Sequence, residues 1–444
     1  MSKYVASKES VDSSLLLWDI RSTQTSIDET YELTVYPSST YEDTYGSPID
    51  FSIPPQPNGC LIDIDIQTTW CVGRADKVLE DKDEISIINN FSNALWGYVD
   101  VQVGNRVNLM QSMEHAYGYQ TFFNTMLNSS SDHRDYLYVS ECFVLDSGAD
   151  LADANCLTFF DAAPKNIKNK GAQKRAERIK SSHEFTSKSK LHCPLLNHSK
   201  VLPTNMNIKV TLTKNKAAFL LMSAKSIEGQ PSVVIKKIVL ICTYSHPRDV
   251  FLNLMEERLK QSPALYDIEY PEITMRTIPA LNKDYSFYDF FHSKLPKAAF
   301  FAIVSAATIA GDIEQNPFVF HRMNSFQIYI DNREFFANPI KFINSKTDQL
   351  DFSEAYLQLY KVLGLDRRGN CLLTSENFNI YYMIGAVFTD DKKHLNHLNL
   401  QKSADVRINL ELEVQPTQPM VLVTYALYDK LYSIDSNRQL TVTE

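Results

Sequence analysis

The sequence predicts an all-β chain: two tandem jelly-roll (β-sandwich) domains with short helices in loops and a linker helix. Three observations carry that expectation. The 444 residues exceed the roughly 250–300 at which a single hydrophobic core stops growing, so two domains are the starting point. Tyr (23) and Phe (24) are abundant while Gly (13) is scarce, which suits packed, aromatic-rich strands better than a Gly-rich nucleotide-binding scaffold. Finally, a pattern occurs twice, in NNFSNALWGYVDVQVGNRVN (89–108) and NPFVFHRMNSFQIYIDNREF (316–335). The identical columns are Asn89/Asn316, Phe91/Phe318, Asn105/Asn332 and Arg106/Arg333. More telling, Val99, Val101 and Val103 match Phe326, Ile328 and Ile330, each set at every second position and each followed by a turn.

Residues 1–45 are rich in Ser, Thr and Asp with one apolar island, LLLWDI (Leu15 to Ile20), and read as an extended arm that docks by that island. A strand series follows. SPIDFSIP alternates Ile49, Phe51 and Ile53; PQPNG is a turn; CLIDIDIQTTW alternates Ile62, Ile64 and Ile66 with Asp63 and Asp65. The strand Trp96 to Val103 ends in a Gly104-Asn105 turn. Met113, Tyr117, Phe122 or Phe123, and Met126 fall at helical spacing within 112–127.

The second half holds a counterpart helix at 351–364. Asp351 and Glu354 form a capping box, Tyr356, Leu359, Tyr360 and Leu363 an apolar face, and Gly364 a stop. About a dozen extra residues, NPIKFINSKTDQ, precede it. MNIKVTLTKN and VRINLELEVQ then alternate alike, each leading into a long apolar strand, PSVVIKKIVLICTYS and PMVLVTYALYD. KAAFFAIVSAATIAG (297–311) reads as a buried strand, shorter than the about 20 residues a membrane span needs. Between the copies, 246–263 reads as a helix with Pro247 at its first position, Val250, Phe251, Leu254, Met255 and Leu259 on one face, and Pro263 as its stop. The expected organisation is an arm (1–45), a first jelly roll (46–246), a linker helix and connection (247–272) and a second jelly roll (273–444).

Composition excludes several functions. A net charge of −9 argues against a surface wholly devoted to nucleic acid. The seven cysteines (60, 71, 142, 156, 193, 242, 371) are scattered, with no Cys-x-x-Cys pair, as in reduced intracellular thiols. The polar start MSKYVASKES is not a signal peptide. Walker, Gly-x-Gly-x-x-Gly, Gly-x-Ser-x-Gly and His-Glu-x-x-His motifs are absent, so no catalytic, cofactor-binding or metal residues are assigned.

The weaker candidates resolve blandly. His394 with His397, and His192 with Cys193 and His198, lack a partner pair at zinc-site spacing and read as loop histidines. The segment 165–180 carries seven basic residues in sixteen but no interleaved aromatics, and reads as a solvated loop. Asp63 and Asp65 read as the solvent side of a strand, Asp390 and Asp391 as a polar loop, and Met323 and Trp96 as core.

The order TQTSIDETYELTVYPSS, SPIDFSIP, NNFSNALWGYVDVQVGN and YGYQTFF, then KLHCPLLNHSKVLPTNMNIKVTL, NPFVFHRMNSFQIYIDN and VLVTYALYDKLYSIDSNRQL, resembles the hexon-like major capsid protein of Polinton (Maverick) elements and adintoviruses. The resemblance runs colinearly from about Thr23 to Leu440. Cys193-Pro194 departs from the pattern, where similar proteins carry an acidic-aromatic pair, and the basic segment 165–180 has no match in it. The resemblance implies a non-enzymatic virion subunit, assembled in the host cell, in its nucleus, with no sequence-specific nucleic-acid binding. Three copies would form a pseudo-hexagonal capsomer, and capsomers would tile an icosahedral shell around double-stranded DNA with a penton or minor capsid protein as partner. The arm would face inward or clasp a neighbour. The alternatives are a glycan-binding or amidase-like double sandwich, or a minor capsid or receptor-binding component.

Overall fold

The computed structural model describes residues 12, 14, 22–74, 77–80, 83–104, 107–149, 151–155, 168–223, 231–342, 351–367, 369–389, 399–400 and 402–443. The island Leu15 to Ile20, Asn105, Arg106, Cys156, Asp390, Asp391, His394 and His397 lie outside the described residues, as do 165–167 of the basic segment and most of the insertion before the second helix.

The first half contributes strands β1 (Ile27–Val35), β2 (Pro48–Ile53), β3 (Cys60–Arg74), β4 (Ile85–Ile87), β5 (Trp96–Val103), β6 (Val107–Asn108), β7 (Phe185–Lys190), β8 (Ile208–Lys214), β9 (Leu221–Ser223) and β10 (Pro231–Pro247). The second contributes β11 (Ala264–Ile278), β12 (Asp284–Phe287), β13 (Ala298–Ser305), β14 (Met323–Ile330), β15 (Arg333–Glu334), β16 (Ile340–Lys341), β17 (Ile384–Val387), β18 (Val406–Leu412), β19 (Met420–Ile434) and β20 (Leu440–Thr443). Helical segments are α1 (Phe91–Ala94), α2 (Ala116–Asn128), α3 (Arg134–Glu141), α4 (Leu151–Ala154), α5 (Lys170–Ile179), α6 (Ala217–Leu220), α7 (Asp249–Gln261), α8 (Ala306–Ala310) and α9 (Ser353–Val362).

Two sheets build each half. Their orders are β1-β10-β3-β7 and β2-β8-β5-β6, then β11-β19-β13-β17 and β12-β18-β14-β15. Setting aside the short strands β4, β9, β16 and β20 and ranking the others along their own half, both halves read 1-8-3-6 and 2-7-4-5. That is the double Greek-key wrap of a jelly roll, made twice. The twin motifs are the fourth strands, β5 and β14, and each pairs with the seventh, β8 or β18. Val99, Val101, Val103, Phe326 and Ile328 are all buried. Alternation places one face of each sheet inward, so facing sheets share a core, and that core runs continuously through both halves.

Four segments differ from the sequence expectation. Residues 27–35, expected in the arm, form edge strand β1, paired with β10 along its length. An edge strand covered on one side keeps polar residues outward, so it reads as arm-like. β11 extends back into the expected connection; Pro271 lies within it because β11 is a sheet edge, where a missing N–H is tolerated. In β3 the alternation slips: Thr243 faces Asp63 and Tyr244 faces Leu61, leaving Ile62 as a bulge, 37% exposed, with Leu61 buried instead. Pro247 closes β10, Arg248 caps α7, and only Leu252 and Leu259 of that helix are buried.

Candidate functional site

The two sandwiches meet along a seam organised by α2, which packs on β5 of the first and on β11 and β19 of the second. Eleven of its thirteen residues are buried, beyond the single face that Met113, Tyr117, Phe122 and Met126 suggest. A helix enclosed on all sides loses the polar stripe that marks a surface helix. Phe122 stacks on Phe318 with centroids 4.6 Å apart, and Phe123 stacks on Phe320 at 5.6 Å and on Tyr425 at 5.5 Å. The Tyr119 hydroxyl donates to the Pro317 carbonyl at 3.1 Å. Such ring pairs each contribute about 0.5–1.5 kcal/mol beyond their buried area. The counterpart α9 lies instead against β17 of its own sandwich, with Ala355 and Leu359 buried and Leu357 58% exposed.

The basic segment is the principal correction. Residues 170–179 are a docked helix, not a solvated loop, with Gly171, Ala172, Arg175, Ala176 and Ile179 buried. Gly171 lies so close to the loop before it that a Cβ would overlap the Leu145 carbonyl oxygen. Arg175 is fully enclosed. Its Nη2 donates to Asp146 Oδ1 at 2.6 Å, Nε to the Ile87 carbonyl at 2.9 Å and Nη1 to the Val144 carbonyl at 2.5 Å. Asn169 Nδ2 donates to the same carboxylate at 2.9 Å. From the second sandwich, Tyr381 accepts from the Asp146 N–H at 2.7 Å and donates to Asp146 Oδ2 at 3.4 Å. Burial, with Asp146 beside it, pushes the Tyr381 hydroxyl far above its ordinary range, so it stays a neutral donor. Sequence reading missed Arg175, Asp146 and Tyr381. The one available signal was apolar residues at helical spacing around an arginine, Ala172, Ala176 and Ile179, within a charge run.

The histidine candidates sit on the other side of the seam. His192, His198 and Asp267 line one cleft of about 370 Å³ with Gln120 and Asn124. His192 Nδ1 lies 3.3 Å from Asn124 Nδ2, and His198 Nε2 lies 3.4 Å from Asp267, which also takes Lys200. Among the described residues, no three His, Cys, Asp or Glu side chains converge as metal ligands. Burial raises all the described cysteine thiols, Cys60 to about 11 and Cys193 and Cys242 to about 12. They are protonated at neutral pH and poor nucleophiles. Asp63 and Asp65 pair with Lys190 and Lys188 of β7 at 2.8 and 3.1 Å, a strand-surface arrangement with no converging acid–base pair. Trp96 and Met323 are core.

A second clamp closes the far end. Arg438, beyond β19, donates to the Thr204 carbonyl at 2.8 Å and pairs with Glu256 of α7. Gly104, at φ +61°, passes so near that a Cβ would overlap the Arg438 carbonyl oxygen. Each sandwich thus grips the other at several points, and the two share one core.

No protein-family model and no curated protein sequence matches the chain. Solved structures do. A chain of the Sputnik virophage superposes with a TM-score of 0.63 at 12% identity, covering 100% of this chain and 93% of that one. The mavirus major capsid protein gives 0.57 at 10%, covering 100% and 96%, and the Faustovirus major capsid protein 0.57 at 8%, covering 94% and 92%. At these identities the likeness is one of fold. The chain is a double jelly roll, and the mavirus and Faustovirus structures it matches are major capsid proteins.

Proposed function

We propose that the chain is a major capsid protein: it trimerises into pseudo-hexameric capsomers that tile an icosahedral shell around double-stranded DNA. One observation carries the reading. Two wedges of the same strand order are fused through a continuous core. Three such chains about a threefold axis present six near-equivalent edges, so one gene product packs a hexagonal lattice. The fold shared with virophage and Faustovirus capsid proteins supports the same role, and the local sequence likeness favours the Polinton and adintovirus branch. Assembly needs no bond broken; specificity comes from geometry repeated many times. Obligate interfaces of this kind bury about 2,000 Å² or more, contributing gross apolar stabilisation at ~25 cal/mol per Å², much of it offset by ordering costs. A penton or minor capsid protein would fill the vertices, and assembly would take place in the host nucleus.

Light scattering after size exclusion tests this. The expected species is three times 50.7 kDa or a larger shell, with hexagonal capsomers in negative stain. A stable monomer at micromolar concentration overturns the proposal.

A further inference from the structure

α7 carries more apolar surface than its own packing uses. Leu252 and Leu259 face the body of the protein, while Val250, Phe251 and Leu254 are 67%, 39% and 49% exposed. These three share one side of the helix, because residues four apart stack and residue 251 lies beside them. Ile27, 39% exposed, pairs with Pro247, three residues before Val250. A contiguous apolar stripe of this kind marks a contact surface.

The course of the chain indicates what covers it. The Arg248 N–H donates to the Ser26 carbonyl at 3.0 Å, and Arg248 Nε reaches Asp28 Oδ1 at 2.7 Å. Gln24 Oε1 accepts from the N–H groups of Ser26 and Ile27 at 2.6 and 3.1 Å. Residues 24–28 are therefore fixed at the N-terminal end of α7. Immediately upstream, across the polar stretch RSTQ, comes the apolar run LLLWDI. Extended chain covers about 3.3–3.6 Å per residue, giving a reach from Gln24 of roughly 13 Å to Ile20 and roughly 30 Å to Leu15. The stripe from Val250 to Leu254 occupies only about 6 Å of helix axis.

We propose that the segment Leu15 to Ile20 docks on the Val250, Phe251 and Leu254 face of α7 in the same chain. This ties the N-terminal segment to the connection between the two sandwiches, whatever the protein assembles into.

Trp18 reports on the contact. It is one of three tryptophans, and the other two, Trp70 and Trp96, are 0% and 1% exposed, so acrylamide quenching of the full-length protein reads Trp18 almost alone. A Trp18→Phe variant confirms that assignment. Docking predicts a shielded Trp18 whose quenching rises severalfold in Phe251→Ser/Leu254→Ser, toward that of a free peptide spanning 12–24, with an unchanged far-ultraviolet spectrum. Leu15→Ser/Leu16→Ser should give the same rise from the other side. If the double α7 variant loses its β-sheet signal, Leu254→Ser alone carries the comparison. A Leu16→Cys/Leu254→Cys pair that cross-links on oxidation and runs as a single chain on a denaturing gel supports docking within the chain. A cross-linked dimer places the segment on a second copy and overturns the proposal, as does a freely quenched Trp18 in the unaltered protein or shielding indifferent to the α7 substitutions.

Discussion

Arg175→Met tests how far the seam depends on its buried ion pair. Methionine keeps the length and apolar stem but removes the guanidinium and its bonds to Ile87, Val144 and Asp146. Asp146, 2% exposed, then keeps only Asn169 and the Tyr381 hydroxyl as side-chain partners, a carboxylate left charged in apolar surroundings. Removing one partner of a buried pair costs about 3–5 kcal/mol. At ~2 cal/mol/K per residue over one chain of 444 residues, about 1 °C per kcal/mol, Tm falls by roughly 4 °C. The double variant Arg175→Met/Asp146→Leu should recover part of the loss, because replacing both charges by apolar groups is often near neutral. Calorimetry and urea titration of the two singles and the double close a cycle, with a coupling of at least about 1 kcal/mol expected for groups in contact. A single variant within about 1 kcal/mol of the parent, or strictly additive costs, would refute the assignment of this pair as the lock on α5 and the second sandwich.

Three further outcomes follow from the same geometry. Burial holds His115, stacked on Phe219 at 4.0 Å, down to about 4 from an ordinary 6.5, and burial does the same to His321. With the folded value depressed, the unfolded chain binds the extra proton first. Stability is full above about pH 6.5 and falls as pH drops toward 4, by about 3 kcal/mol for such a shift. His115→Asn, which suits the left-handed φ of 64° there, should flatten the dependence of the urea midpoint between pH 7 and 5; an unchanged slope counts against it. Phe122→Ala removes a ring packed on Phe318, Phe320 and Tyr381 and should cost about 3–5 kcal/mol in denaturant unfolding. Gly104→Ala should cost more than the about 1 kcal/mol of a strained φ alone, since the new Cβ meets the Arg438 backbone carbonyl; Gly46→Ala, at φ +82° with open space around it, isolates the φ strain, and equal Tm losses for the two variants would refute the overlap.

Much of the fold was legible because each strand announces its own covered face. The alternation at Val99 to Val103 and at Phe326 to Ile330 needs no partner to be read, and the order of such segments along the chain exposed the duplication. The seam was less legible. α2 showed half of its burial, because Tyr119 meets Pro317 and Phe318 of the second sandwich and Thr121 accepts from Asn90, contacts that its own spacing does not record. Lys170 to Ile179 showed charges, because its buried stripe is two alanines, an isoleucine and an arginine. Ile62 pointed inward by alternation and outward in fact, since a bulge depends on the partner strand.

By itself the sequence determined that the chain is two similar β-rich halves, where most of their strands run, and that no familiar catalytic motif lies in them; local periodicity and composition carry that information. Only the tertiary structure decided which helix fills the seam, which arginine meets Asp146 and Tyr381, and which face of α7 the two sandwiches leave exposed. Periodicity records that a face is buried, whereas the identity of the surface that buries it is fixed by contacts hundreds of residues apart.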